Sequence, residues 1–148
     1  MKSFLTSMLV LASVVGIVQA EKNVLIENDA AVRVPDNWKE IEKDGITKMF
    51  QSPSSQSVLT ILKEDPKEME ITELEVYTEE TIRVFKEEHE GFEPSEPKAG
   101  EINGLPSQFF RGETTTEYQG QNYEMLLLVM TIKGKTHFYE VTAIIPKL

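Results

Sequence analysis

The sequence contains no cysteine among its 148 residues. The chain therefore forms no disulfide, has no thiol nucleophile and offers no cysteine for lipid attachment at a lipoprotein N-terminus. Histidine is also scarce: His89 and His137 lie in different predicted elements, and neither belongs to an HxxxH or HExxH pattern. We therefore predict no metal site and no bound cofactor.

Motifs for nucleophilic and nucleotide chemistry are missing as well. No serine lies in a GxSxG elbow, and the sequence has no GxxxxGK[ST] phosphate loop. The acidic segments at residues 63–75 and 87–90 lack the DxDxDG spacing of a calcium loop. The sequence therefore identifies no catalytic, cofactor-binding or metal-binding residue. A pair of catalytic carboxylates is still an open alternative, because such pairs form in space rather than in sequence.

The N-terminal twenty residues have the pattern of a secretory signal peptide. Lys2 precedes an uncharged, mostly apolar run over residues 4–18, and Val18-Gln19-Ala20 places small residues where signal peptidase cleaves. A membrane anchor is the alternative, but the run is shorter than the roughly 20 residues that a spanning helix needs. We predict cleavage after Ala20 and a periplasmic or secreted protein.

The remaining sequence, residues 21–148, is acidic and has the length of a single domain. Of the 15 Lys and Arg one is Lys2, so this part has 14 cationic and 25 acidic side chains and a net charge of −11. Such a balance disfavours nucleic acid and anionic lipid as partners, because both reward clustered Lys and Arg. We predict no membrane span after cleavage.

Short β patterns come first. The segments NVLIEN and AAVRVP are predicted strands, and ITKMFQ and SVLTILK are predicted to form a hairpin around the loop SPSSQS at residues 52–57. A helix is then predicted over residues 72–89, with Thr72 and Glu75 as a capping box and Gly91 just beyond its end. Its predicted buried stripe contains Leu74, Tyr77, Thr78, Thr81 and Phe85.

Strand patterns return after the helix. Asn103-Gly104 predicts a tight hairpin turn, because both central positions of that turn need positive φ. A second turn is predicted in YQGQNY, and Gly134-Lys135 separates the last two strands of a three-stranded meander. Strands on both sides of one long helix indicate an α+β fold, with a mainly antiparallel sheet and the helix packed on one face.

Trp38, the only tryptophan, follows a Pro-Asp-Asn turn. A turn there would fold the indole back onto the sheet, where it would bury an area on the order of 200 Å². The alternative is an exposed aromatic contact for a ligand. We predict the core position, because the segment VRVP before the turn supplies a half-buried strand to pack against.

This arrangement resembles the PsbP/Mog-like superfamily. The resemblance rests on the turn at residues 34–38, on Phe50-Gln51-Ser52-Pro53, on the long helix, on Ile102-Asn103-Gly104 and on the closing FYEVTAIIP. Known members mostly act as binding or accessory proteins. The resemblance therefore implies a non-enzymatic binding or accessory protein, with no catalytic residue to carry over. An enzyme with an unrecognised carboxylate pair and a small-molecule carrier with a pocket between helix and sheet are the alternatives.

One departure concerns the cover of the sheet. Members of the superfamily usually continue into a C-terminal helix that covers the second face, whereas this sequence ends three residues after Ile145. The unbroken apolar run at residues 125–130 predicts a strand buried on both faces. The sequence is a fragment, or the N-terminal strands and Trp38 cover that face, or a partner covers it. We predict an exposed apolar face that supports self-association or docking of a protein partner.

Overall fold

The computed structural model describes residues 21–27 and 30–147, so the predicted signal peptide lies outside the described residues. Within these ranges the chain forms ten strands and two helices. They are β1 (Glu21–Glu27), β2 (Ala30–Pro35), β3 (Lys39–Ile41), β4 (Lys48–Gln51), β5 (Val58–Glu64), α1 (Pro66–Met69), α2 (Leu74–Glu88), β6 (Glu93–Pro94), β7 (Lys98–Ile102), β8 (Leu105–Tyr118), β9 (Gln121–Lys133) and β10 (Phe138–Pro146).

The main sheet contains eight strands in the order β3-β4-β5-β10-β9-β8-β6, with β7 also paired to β8. All of its pairings are antiparallel. Strands β1 and β2 form a separate antiparallel hairpin. The α+β prediction is confirmed, and the C-terminal meander has four strands, β7 to β10, rather than three. Strand β10 joins the two halves of the main sheet because it pairs with both β9 and β5.

Helix α2 packs on one face of the main sheet, over β8 and β9. All five residues of the predicted stripe are buried. The predicted capping box is wrong: Glu73 is the N-cap and makes no capping bond with its side chain, and the Thr72 hydroxyl donates to the Glu73 carboxylate instead. The N-cap is therefore one residue later than predicted, and Leu74, the first residue of the helix, is buried in one apolar cluster with Tyr77 and Phe138.

The second face of the main sheet is covered by the β1–β2 hairpin, so the predicted exposed apolar face is wrong. Val32 and Val34 are buried against that face together with Trp38, as the core prediction for the tryptophan requires. In the apolar run of β9, Leu127 packs on the α2 side and Leu128 on the hairpin side. Among the large apolar side chains described, only Val76 and Tyr118 are exposed. Strands β1 and β2 can cover the sheet because their residues alternate between apolar and polar, so that one face of the hairpin is apolar and packs on the sheet.

The predicted turns are confirmed. Asn103 and Gly104 have φ of 46° and 83°, as a tight turn between β7 and β8 requires. The Trp38 amide donates to the Pro35 carbonyl over 3.0 Å, which closes the Pro-Asp-Asn-Trp turn. Neither described helix is long and apolar enough to cross a membrane.

Candidate functional site

Helix α2 packs over β8 and β9, and the same sheet face continues onto β5 and β10 as a mixed polar and apolar area whose side chains are half-buried, except that Thr142 is buried. We call this surface the β5–β10 strip. The register places its members on the α2 side of the sheet, because Phe138 packs against α2 and is paired with Glu64. The strip contains Thr60, Leu62, Glu64, Glu140, Thr142 and Ile144.

Glu140 lies at the boundary between the strip and the covered part of the sheet. It is paired across the strands with Leu62 on one side and with Thr131 on the other. Thr131 is fully buried under the helix, where its Oγ1 lies 2.7 Å from Oγ1 of Thr78. The carboxyl group of Glu140 therefore stands directly beside the flank of α2.

The surroundings of Glu140 disfavour its charged form. Burial raises the pKa of this carboxyl group to about 7, and the neighbouring acids Glu64 and Glu88 act in the same direction. The Thr142 hydroxyl donates to Oε1 of Glu140 over 3.0 Å, which opposes the increase. No Lys or Arg within the described ranges forms a salt bridge with Glu140. Glu140 is therefore a mostly buried acid without a cationic partner in the described part of the chain.

Glu64 is held by the helix. The Tyr77 hydroxyl donates to Oε2 of Glu64 over 2.5 Å, and the Tyr77 ring stacks on Phe138 with ring centres 4.5 Å apart. Burial and the bond to Glu64 raise the pKa of Tyr77 far above its usual range, so the phenol stays protonated and keeps donating. This contact fixes one carboxylate of the strip at the N-terminal part of α2.

Two carboxyl groups of the strip therefore lie on one sheet face, from strands that are far apart in sequence. They are a pair of carboxyl groups formed in space, the alternative that the sequence could not decide. The local pattern gave only a weak indication that Glu140 is buried, because it stands between Tyr139 and Val141 in an alternating strand, a pattern typical of an acid that faces solvent. Its burial follows only from the tertiary structure, which places β10 beside the part of β9 that lies under α2.

The other candidate groups are not brought together. His89 stacks on Phe85 at the end of α2, and His137 Nδ1 lies 2.8 Å from the Thr136 hydroxyl. In the part of the chain that the structure describes, no group of three or more His, Asp or Glu is arranged to hold a metal ion. Ser107 on β8 is buried, and its hydroxyl finds no hydrogen-bond partner among the described residues.

A carboxyl group with a pKa near 7 has two chemical uses. It can exchange a proton at neutral pH, and it can gain a counter-ion that stabilises its charged form. A partner's ammonium or guanidinium group placed at Glu140 would provide that counter-ion. Half-buried Leu62, the cross-strand neighbour of Glu140, would contact the apolar part of the same partner side chain.

No protein-family model matches the sequence, and a search of the curated proteins finds no match. Solved structures do match. Cyanobacterial PsbP (CyanoP) from Synechocystis sp. PCC 6803 is similar with a TM-score of 0.55 and 12% identity, over 88% of this chain and 82% of that one. A protein of unknown function from Pseudomonas aeruginosa, PA94, has a TM-score of 0.52 and 13% identity, over 84% of this chain and 82% of that one.

These similarities, with the antiparallel sheet and the helix on β8 and β9, define a PsbP/Mog-like fold. The resemblance inferred from the sequence is thereby confirmed at the level of the fold. At 12 to 13% identity the similarity concerns the backbone arrangement only. The function has to be argued from this chain's own side chains.

Proposed function

We propose that this chain is a non-enzymatic binding or accessory protein of the periplasm or the cell exterior, and that its β5–β10 strip receives a cationic group of the partner. The observation that carries the proposal is Glu140, a mostly buried acid that lacks a cation and lies near two further acids. The PsbP/Mog-like fold shared with a cyanobacterial PsbP supports the resemblance from which the sequence implied an accessory role.

The energetic argument concerns the charged form of Glu140. In the free protein its carboxylate is poorly hydrated and lies near Glu64 and Glu88, which is why its pKa is raised. The attraction between the Glu140 carboxylate and a cation about 4 Å away would be several times stronger than the same attraction at a fully hydrated acid. The reason is that water screens charges less at a buried position. The strip would thus gain more from a cationic partner than the exposed acids on the outside of α2.

Affinity purification on the immobilised wild-type chain, from the envelope fraction of the source cells, tests the proposal. Glu140→Gln keeps the shape of the side chain and removes its charge, so we expect it to weaken recovery of a partner that the wild type retains. Glu101→Gln is the matched control, because it removes one acid from an exposed position on β7. Equal recovery by Glu140→Gln and the wild type would exclude the strip as the binding site.

Proton linkage gives a second measurement on the purified complex. A partner cation binds the deprotonated carboxyl group, whose fraction rises about tenfold between pH 6 and pH 8 for a pKa near 7. The affinity of the wild type should rise by up to that factor over this range. The affinity of Glu140→Gln should not follow this rise. A rise of the same size in both chains would assign the linkage to another group.

The proposed location depends on residues 1–20, and the mass of the exported protein tests it. Val18-Gln19-Ala20 predicts that signal peptidase leaves Glu21 as the first residue. Intact mass spectrometry of the protein from a periplasmic extract or culture medium should show the chain from Glu21. Retention of Lys2 and the following apolar run in the purified protein would contradict export by cleavage.

A further inference from the structure

Strands β8 and β9 continue beyond the rest of the main sheet as a two-stranded hairpin. Pairing of β6 with β8 stops at Glu113, and pairing of β10 with β9 stops at Met125. Among the described strands, residues 115–124 pair only with each other, and the two strands join through a turn at Gln119 and Gly120 with φ of 51° and 77°. We call residues 114–124 the β8–β9 arm. Residues 115–122 are all exposed.

The outer edge of β8 in the arm has unpaired backbone groups. At the base of the arm, the Arg111 carbonyl accepts from the Ser95 amide over 2.7 Å, so the backbone groups of Arg111 point away from β9. Backbone direction alternates along a strand, and the next outward positions in the arm are Thr115 and Glu117. No described strand pairs with them. This edge offers two amides and two carbonyls to an added strand.

The two faces of the arm differ in chemistry. One face, on the α2 side, has the exposed ring of Tyr118 and the half-buried ring of Tyr123. The opposite face has Glu117 and Glu124, and Glu113 lies on the same side just before the arm begins. Lys147 pairs with Glu113 over 2.9 Å and lies 3.6 Å from Glu124, both at the base of the arm. Glu117, near the tip, has no salt bridge to any described residue.

This charge pattern decides which occupant fits the edge. A second copy of the chain paired at the same edge would bring its own Glu117 to the same face, and like charges across or diagonal to one another destabilise a strand pair. The whole chain has a net charge of −10, which adds to the repulsion between copies. An extended segment with a cation facing Glu117 would have the complementary charge.

We propose that the outer edge of β8 in the β8–β9 arm binds an extended segment of a cationic protein by strand addition. Alternate residues of that segment place Lys or Arg beside Glu117 and apolar side chains beside Tyr118. Backbone bonds to Thr115 and Glu117 hold the segment, and the two faces of the arm select its sequence. This surface is separate from the β5–β10 strip, so either site can be tested without the other.

A synthetic peptide of alternating lysine and valine, seven residues long, is the probe for the full chain. A second peptide of the same composition, with all lysines before all valines, keeps the charge and loses the alternation. Isothermal titration at low salt should give at least a threefold tighter dissociation constant for the alternating peptide. Equal binding of both peptides would overturn the proposal, because charge attraction alone would then account for the interaction.

Two proline variants separate backbone pairing from charge. Thr115→Pro removes an amide that points away from β9 at the outer edge of β8. Asn122→Pro removes an amide that points away from β8 at the outer edge of β9. The direction at Asn122 follows from Glu124, two residues later, whose carbonyl accepts from the Lys147 amide on that outer side. Thr115→Pro should weaken binding of the alternating peptide about tenfold, while Asn122→Pro should leave it within about twofold. Equal losses in the two variants, or no loss in Thr115→Pro, would overturn the proposal.

A charge variant keeps the test valid if a proline unfolds the arm. Glu117→Gln retains the backbone and should weaken binding about threefold at low salt, with the difference disappearing at high salt. Unchanged binding by Glu117→Gln would overturn the charge assignment. Sedimentation of the wild type tests whether a second copy of the chain occupies the edge instead. A dimer that Thr115→Pro abolishes would assign the edge to that second copy and overturn the proposal.

Discussion

Replacing Trp38 with alanine should lower the free energy of unfolding by about 3–5 kcal/mol, the range for deleting a large aromatic side chain from a packed core. Trp38 is 8% exposed and belongs to the apolar cluster between the β1–β2 hairpin and the main sheet. Its carbonyl also accepts from Nζ of Lys22 over 3.2 Å. Losing the indole would therefore open a cavity where the two layers meet.

Urea denaturation at fixed pH measures this effect. Circular dichroism has to follow the transition, because the variant lacks the only tryptophan and its fluorescence. Tyr118→Ala is the matched control: it also deletes an aromatic ring, but the ring is 53% exposed, and we expect a change within about 0.5 kcal/mol. A loss below about 1 kcal/mol for Trp38→Ala would show that the hairpin layer does not depend on the indole.

The second large effect concerns pH and Glu140. Its pKa in the folded chain is about 7, above the value of roughly 4.3 expected in the unfolded chain. The folded chain therefore holds this proton more tightly, and the resulting stabilisation is complete below about pH 4 and is lost as pH rises through 7. Over this range Glu140 should remove up to about 3 kcal/mol of stability.

Glu140→Gln imitates the protonated side chain and should abolish this decline. At pH 8 the variant should be more stable than the wild type by about 1–3 kcal/mol, and at pH 4 the two should be nearly equal. Urea denaturation at several pH values between 4 and 8 measures the difference. Glu101→Gln, on the exposed side of β7, controls for the change in net charge. Parallel profiles for wild type and Glu140→Gln would show that Glu140 titrates alike in the folded and unfolded chains.

If both effects are found, binding and stability share a residue. Glu140 would then be a functional group that opposes stability, as groups in binding and catalytic sites often do. The stabilised Glu140→Gln variant would then be the one that fails to recover the partner. A stabilised variant with full recovery would separate the two properties and remove the main support for the proposed function.

Local sequence patterns were sufficient wherever neighbouring residues set the structure. Asn103-Gly104 predicted its turn because few other dipeptides take positive φ at both positions. The spacing of Leu74, Tyr77 and Phe85 predicted the buried stripe of α2 because a helix repeats every 3.6 residues. The capping box failed because Glu73 is the N-cap and the Thr72 hydroxyl donates to its carboxylate; a capping bond is worth only about 1 kcal/mol, too little to fix the start of a helix by itself.

The tertiary structure alone decided what covers each face of the main sheet and which acidic side chains lie near each other. The unbroken apolar run at residues 125–130 shows that both faces of the strand are buried, but it does not show what lies on each face. The cover supplied by the β1–β2 hairpin therefore became visible only in the tertiary structure. In the same way, Glu64 and Glu140 lie on one sheet face, near enough for Glu64 to raise the pKa of Glu140, because β10 pairs with β5 across more than seventy residues of sequence. Such a pairing depends on the packing of the whole sheet, and no local pattern encodes it.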